Sequence, residues 1–159
     1  MKPHQNTITD RPNIMAPPLI VNFSFLGAGL YVESLLPSPK LAWPPIYGIG
    51  LLLLTVGITG VFLSIRAMRE AQTAVDPYKP ATAIVTKGPY RYSRNPIYVA
   101  DTIIYLGIAL IFDVLWAISF MPILIWFMQV GVITREERYL EHKFAETYLE
   151  YKKSVRRWF

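Results

Sequence analysis

The sequence predicts an all-α fold: an integral-membrane bundle of about four transmembrane helices, with a cytoplasmic C-terminal amphipathic helix. Three observations carry that expectation. Of 159 residues, 53% are hydrophobic, and the mean hydropathy of +0.31 is too high for an ordinary soluble domain. Apolar runs at 19–36, 46–65, 96–112 and 114–134 have about the length that a hydrocarbon core of ~30 Å demands at ~1.5 Å per residue. The 16 Lys and Arg residues gather in the segments that flank those runs. That distribution reads as membrane topology rather than a nucleic-acid face, despite the net charge of +5. Chain length leaves room for one domain.

Residues 1–18, with Pro3, Pro12, Pro17 and Pro18, read as a polar, irregular cytoplasmic tail. The late start of the first apolar run and its lack of a small-residue cleavage site argue against a signal peptide. Glu33 lies near the far end of this span, where a carboxylate reaches the interface. A proline-rich turn, 37–45, follows. The second span carries no charge, and Gly57, Gly60 and Ser64 are spaced to bring helix backbones together. The polar connection 66–95 is long for a link between membrane helices, which suits a functional segment. Asp76-Pro77-Tyr78-Lys79-Pro80 breaks any helix there. The third span is marginal in length, and Asp101 is its one carboxylate, so it faces protein or a wet cavity. Pro122 is a kink site in the fourth.

From Arg135 onward the character changes. Leu140, Phe144, Tyr148, Tyr151 and Val155 recur at helical spacing, and Arg156-Arg157-Trp158-Phe159 reads as a basic-aromatic membrane anchor. The cation-rich segments hold two, six and seven Lys plus Arg, against one in the 37–45 turn and none at Asp113. Four spans put the rich segments on one side, and the positive-inside rule makes that side cytoplasmic, in a prokaryotic inner membrane.

The chain contains no cysteine, which excludes disulfides, thiolate chemistry and a prenylation signal on this chain. It has no glycine-rich phosphate loop and no zinc-ligand spacing; His4 and His142 read as bystanders. The stretch of interest is Thr86-Lys87-Gly88-Pro89-Tyr90-Arg91-Tyr92-Ser93-Arg94-Asn95-Pro96-Ile97-Tyr98. Gly88-Pro89 signals a turn, Pro96 suits the first turn of a helix, and Asn95 falls at its cap. Two readings are open: an electropositive, aromatic elbow for an anionic or zwitterionic ligand, or Arg and Tyr serving only as interfacial anchors.

The elbow motif, followed after a helical hairpin by Glu136-Glu137-Arg138-Tyr139-Leu140 and by Phe144, Tyr148 and Tyr151, resembles the isoprenylcysteine carboxyl methyltransferase family. That family is related to phospholipid N-methyltransferases and, more distantly, to membrane sterol reductases. The resemblance covers about residues 73–159, the cofactor-binding and catalytic half, and leaves 1–72 as generic helices. It implies an S-adenosylmethionine-dependent methyltransferase acting on a lipid, or on a lipophilic small molecule or peptide. Its cofactor pocket would draw on Lys87, Gly88, Pro89, Tyr90, Arg94, Asn95, Pro96, Tyr98, Glu136 and Glu137, with Arg94, Asn95, Tyr98 and Glu137 at the chemistry. No metal and no nucleic acid are implied. The common family form has His at Asn95 and Gly at Ala100, so this chain lacks a group that titrates near neutrality and narrows the backbone approach.

The chemistry of the cofactor fits these residues. Arg94 suits a carboxylate in bidentate fashion, either Glu suits an ammonium or ribose, and Tyr90 and Tyr98 suit adenine or a sulfonium. A carboxylate nucleophile needs no base, so Asn95 tilts the expectation slightly towards carboxyl O-methylation. N-methylation, an NADPH-dependent reductase and a non-enzymatic membrane scaffold are the alternatives. Thr134 and Glu137 also have capping-box spacing, which would make Glu137 structural.

Overall fold

The computed structural model describes residues 11–41 and 43–158, so His4 and Phe159 lie outside the described residues. Five helices follow in order: α1 (Pro18–Leu35), α2 (Pro45–Glu70), α3 (Pro96–Ile111), α4 (Leu115–Met128) and α5 (Thr134–Ser154). No strand occurs among the described residues. α1, α2 and the joined segment from α4 into α5 are long and apolar enough to cross a membrane, and α3 is a shorter apolar helix. The fold is the all-helical membrane bundle that the composition demands.

Small residues decide the packing. Gly50 and Gly57 of α2 face Gly107 and Ala100 of α3 so closely that a Cβ at either glycine would stand 2.9 Å from a carbonyl oxygen of α3. Ser64, fully buried, turns its hydroxyl back on the Gly60 carbonyl at 2.7 Å, so it adds no unsatisfied group to the seam. α2 continues past residue 65 to Glu70. Its last turns hold Val85 and the elbow's Tyr90 against Ala67, Met68 and Ala71.

At the opposite end the two short turns are tied together. Glu33 accepts from the Ser38 amide and hydroxyl and pairs with Lys40 at 2.9 Å, while Asp113 accepts from the Leu41 amide at 3.1 Å. Glu33 is thus an interfacial cap for the 37–41 turn. Tyr105 donates to the Ala117 carbonyl at 2.7 Å, fixing α3 on α4, and Pro122 lies within α4 without ending it.

Three elements depart from the sequence expectation. The 11–17 segment is docked rather than a loose polar tail: Ile14 is buried, and the Met15 amide donates to Gly131 at 2.9 Å. Between α4 and α5 the chain makes a π-helical turn, Gln129–Ile133, instead of stopping. The Thr134 hydroxyl donates to the Gln129 carbonyl five residues back, so no helix starts afresh there and the capping box does not form. α5 is itself broken at Ala145, whose φ of 43° and ψ of −118° match the first central position of a type II′ turn.

An L-residue in that region costs on the order of 1–3 kcal/mol, and glycine removes most of it. Ala145→Gly is therefore expected to raise the melting temperature in detergent, by roughly 1 kcal/mol of stability. A lowered melting temperature would mean that the break carries no strain.

Candidate functional site

The elbow forms because Gly88, at φ 60°, adopts a conformation open to glycine, and Pro89 then starts a 3₁₀ turn, Gly88–Arg91. Pro96 opens α3, and the Asn95 carbonyl accepts from Val99 at 3.1 Å. Asn95 occupies the cap position, but its side chain does not cap. It donates instead to the Arg157 carbonyl at 3.1 Å, an acceptor it shares with the Ser93 hydroxyl. The Arg94 amide donates to the Arg156 carbonyl at 3.0 Å. Residues 156–158 thus form a strap across the elbow. Trp158 follows suit: its indole N–H donates to Gln129 Oε1 at 2.8 Å, and its ring packs on the core.

Under the strap lies a buried charge cluster. Glu137 is 5% exposed; it meets Arg94 Nη2 at 3.3 Å and takes a forked contact from Arg157, with Nη2 to Oε2 at 2.7 Å and Nε to Oε1 at 3.1 Å. Two guanidiniums on one carboxylate leave a surplus of positive charge. It resides on Arg94, which is 8% exposed and whose Nε and Nη1 are buried with no hydrogen-bond partner. Guanidinium groups left open in this way are rare inside proteins and point to an anion that completes them.

Next to it, Glu136 accepts from the Tyr98 hydroxyl at 2.7 Å. Burial pushes the Glu136 carboxyl above its usual range, against the pull of that hydrogen bond. The π turn and the ~100° between adjacent helical residues explain why neighbouring carboxylates do different work. Tyr151 donates to the Tyr90 carbonyl at 2.7 Å, and Tyr148 is 2% exposed. Burial raises Tyr90, Tyr148 and Tyr151 well above the ordinary phenol range, so all three remain donors.

These groups line a cavity of about 410 Å³, within the ~300–1,000 Å³ of small-molecule sites. Of the residues expected from sequence, Tyr90, Arg94, Asn95, Pro96, Tyr98, Glu136 and Glu137 line it; exposed Lys87 and Gly88, and Pro89, do not. Sequence reasoning did not assign Tyr148, Tyr151, Tyr139 or the 73–85 loop to the site. That loop closes one side. The Thr82 amide and hydroxyl bond to Thr73 and Gln72, and the Ala81 amide donates to Tyr139 on α5 at 3.1 Å. The unusual length of the 66–95 connection was the signal for it. Asp101 also lines the cavity, where its isolation in an apolar run pointed. Ala100 does not: its methyl faces Gly60 of α2, so it leaves the cavity wall unchanged.

Fold and site together define a helical membrane protein with a largely apolar cavity that carries aromatic and charged side chains from elbow, α3 and α5. The chain belongs to the phospholipid methyltransferase family, whose match runs over residues 46–147. Over 95 residues it is 32% identical to the cobalt-zinc-cadmium resistance protein CzcN of Cupriavidus metallidurans, a stretch that covers 60% of this chain and 44% of that protein. The chain therefore spans less than half of that curated relative. No solved structure matches.

Glu137→Gln leaves Arg94 and Arg157 without their counter-charge in a buried setting, so it is expected to cost about 3–5 kcal/mol. A thermal melt in detergent checks this; unchanged stability would show that solvent compensates the pair.

Proposed function

We propose that the cavity binds S-adenosylmethionine and that the protein transfers its methyl group to a lipophilic acceptor at the membrane face. The unpaired edge of Arg94 is the observation that carries this reading. A zwitterionic cofactor with a carboxylate, an ammonium, a ribose and an aromatic base needs one buried cation, one nearby carboxylate and aromatic walls. Arg94 Nη1, together with Nη2, would take the carboxylate as a planar fork, and Glu136 would accept from the ammonium or ribose. Tyr90 and Tyr98 would line the adenine or face the sulfonium, which a π cloud attracts. When bound, the cofactor supplies an electrophilic methyl on a positively charged sulfur.

The residues of this chain contribute alignment more than chemistry. Direct displacement needs the nucleophile, methyl carbon and leaving sulfur in line, and a rigid enclosure achieves that. Glu137 serves here as a positioning residue: it holds Arg94 from one side so that the other side meets the ligand. Asn95, bound to the strap, keeps the elbow closed. The Tyr98–Glu136 contact joins α3 to α5 across the cavity.

The reductase alternative asks for a second basic set to hold a nucleotide phosphate. Among the described residues, only Lys79 joins Arg94 as a cation lining the cavity, which weighs against it. A scaffold would have no use for an open guanidinium under a strap, since such a group only costs stability. The cation distribution supports an orientation with the elbow, α5 and both termini on the cytoplasmic side of a prokaryotic inner membrane.

Titration of the detergent-solubilised protein with S-adenosylhomocysteine should give saturable binding, and NADPH should give none. Arg94→Lys keeps the charge that Glu137 needs but loses the fork, so affinity should fall about tenfold or more with little change in melting temperature. Arg91→Lys, at an exposed position, should bind as the parent does. Equal tolerance at both positions would return Arg94 to the role of interfacial anchor. Reporter fusions after Lys40 and after Phe159 should report opposite sides of the membrane; the same side for both removes the four-span topology.

A further inference from the structure

A second cavity lies on another face of α3. About 320 Å³ in volume, it is a groove between α3 and α4, walled by Val99, Ile103 and Leu106 from one helix and Met121 and Ile125 from the other. At ~100° per residue, these α3 positions point roughly 140° away from Tyr98 and Asp101, and no residue lines both cavities. The groove offers no open polar side chain. Thr102, its one aliphatic hydroxyl, donates to the Tyr98 carbonyl at 2.8 Å, and the Trp158 indole N–H is spent on Gln129. Its helical walls are half-buried and belong to apolar segments that a bilayer surrounds. Hydrocarbon is what fills such a groove, because an empty one forfeits dispersion contacts on one side.

Trp158 joins this groove to the strap. It is a wall of the groove, and its bond to Gln129, just past the end of α4, places it at the elbow end. The charge around that end has one sign. Elbow and strap, residues 86–99 and 155–158, carry Lys87, Arg91, Arg94, Arg156 and Arg157 and no carboxylate. Glu137 engages Arg94 and Arg157. Lys87, Arg91 and Arg156 remain: all three are exposed, and none makes an ion pair among the described residues. The Arg94 amide bonds to the Arg156 carbonyl, so elbow and strap present these cations together. Tyr92, 77% exposed beside Arg91, marks the headgroup level of the bilayer. Uncommitted cations at the mouth of an apolar groove between spans suit a lipid whose chain enters the groove and whose head is anionic.

We propose that the α3–α4 groove binds one acyl chain of an anionic phospholipid, with its phosphate on Arg156, Arg91 and Lys87, as a resident lipid that is not the methyl acceptor. This site uses neither the charged cavity nor its ligand, so it stands whether or not methyl transfer is the reaction. Its effect on the fold runs through Trp158. A chain packed against the indole holds the strap down; the strap carries Arg157, and Arg157 shares Glu137 with Arg94. The lipid thereby steadies the charge cluster from the far side of α3 without touching it. A zwitterionic head brings its own cation and gains little from the three on elbow and strap, so the head group, rather than the chain, sets the preference.

The test uses the full chain in a mild detergent, with dioleoyl phosphatidylglycerol or dioleoyl phosphatidylcholine added at equal mole ratio. Native mass spectrometry counts the lipid retained, and a thermal melt follows stability. The parent is expected to retain phosphatidylglycerol in clear preference to phosphatidylcholine, and to melt at a higher temperature with it. Arg156→Gln should lower phosphatidylglycerol retention about fivefold, the effect of one cation at an anionic head, and leave phosphatidylcholine unchanged. Arg69→Gln, at an exposed position on α2 that does not line the groove, should retain both lipids as the parent does. Ile103→Phe and Met121→Phe each fill the groove from one helix, and should lose the retained phosphatidylglycerol while still melting cooperatively without lipid. Either one suffices if the other fails to fold. Equal retention of the two lipids by the parent would mean ordinary boundary lipid and overturn the site. So would a loss in Arg69→Gln as large as that in Arg156→Gln, which marks diffuse surface charge, or parental retention in the filled variants. A dimer mass without lipid, abolished by the same fillings, would overturn it in favour of a second copy of this chain. Preferential retention with an unchanged melting temperature would overturn the link through the strap.

Discussion

The Glu137 carboxylate is the point on which the site depends. Three separate pieces of chain meet on it: the elbow through Arg94, the end of the chain through Arg157, and α5, which carries it. A single buried carboxylate between two guanidiniums is a poor source of net stability, because all three groups lose water. Its value is geometric. Arg157 approaches as a fork, and the same residue's carbonyl accepts from Asn95 and Ser93, so side chain and backbone act at one place. The consequence is an Arg94 that is fixed in position yet electrically unfinished.

The spans were legible in the sequence because apolar runs of that length have one solution in a bilayer. Their ends fell within one residue of the observed ones, except that α2 runs on to Glu70 and α4 stops at Met128, against the expected 65 and 134. The elbow was legible because Gly88, Pro89 and Pro96 restrict their own backbone. What could not be read depends on partners far away in the chain. Arg157 looks like any terminal cation until Glu137 is placed beside it, twenty residues earlier. The π turn leaves no composition signature in Gln129-Val130-Gly131-Val132-Ile133, and without it the Thr134–Glu137 spacing reads naturally as a helix start. Likewise, nothing local distinguishes Ala145 from its helical neighbours. The charge pattern of the tail was visible, but not that its end folds back.

The two positions at which this chain differs from the commoner family pattern turn out to concern packing. Asn95 is used as a donor to the strap, a task that needs an N–H in a fixed direction and not a titrating ring. Ala100 stands over Gly60, where the missing side chain on α2 makes room for the methyl on α3. Ala100 therefore leaves the cavity lining as it was, whereas Asn95 belongs to that lining and serves the strap as well.

α2 and α3 form the tightest pair in the bundle, yet they differ greatly in length. α2 has 26 residues and α3 has 16, or about 39 Å against about 24 Å of helix. Because Gly50 lies against Gly107 and Ile111 while Gly60 lies against Ala100, the larger part of the surplus of α2 stands on the elbow side. A bilayer meeting α3 must thin, and each ångström of mismatch costs a fraction of a kcal/mol. The leaflet on the elbow side bears more of that deformation, with α2 rising beside it like a mooring post. The energy of the dimple is lowest where the surrounding membrane is already thin, so bilayer thickness becomes a variable that sets where in a cell's membranes this protein is most at ease.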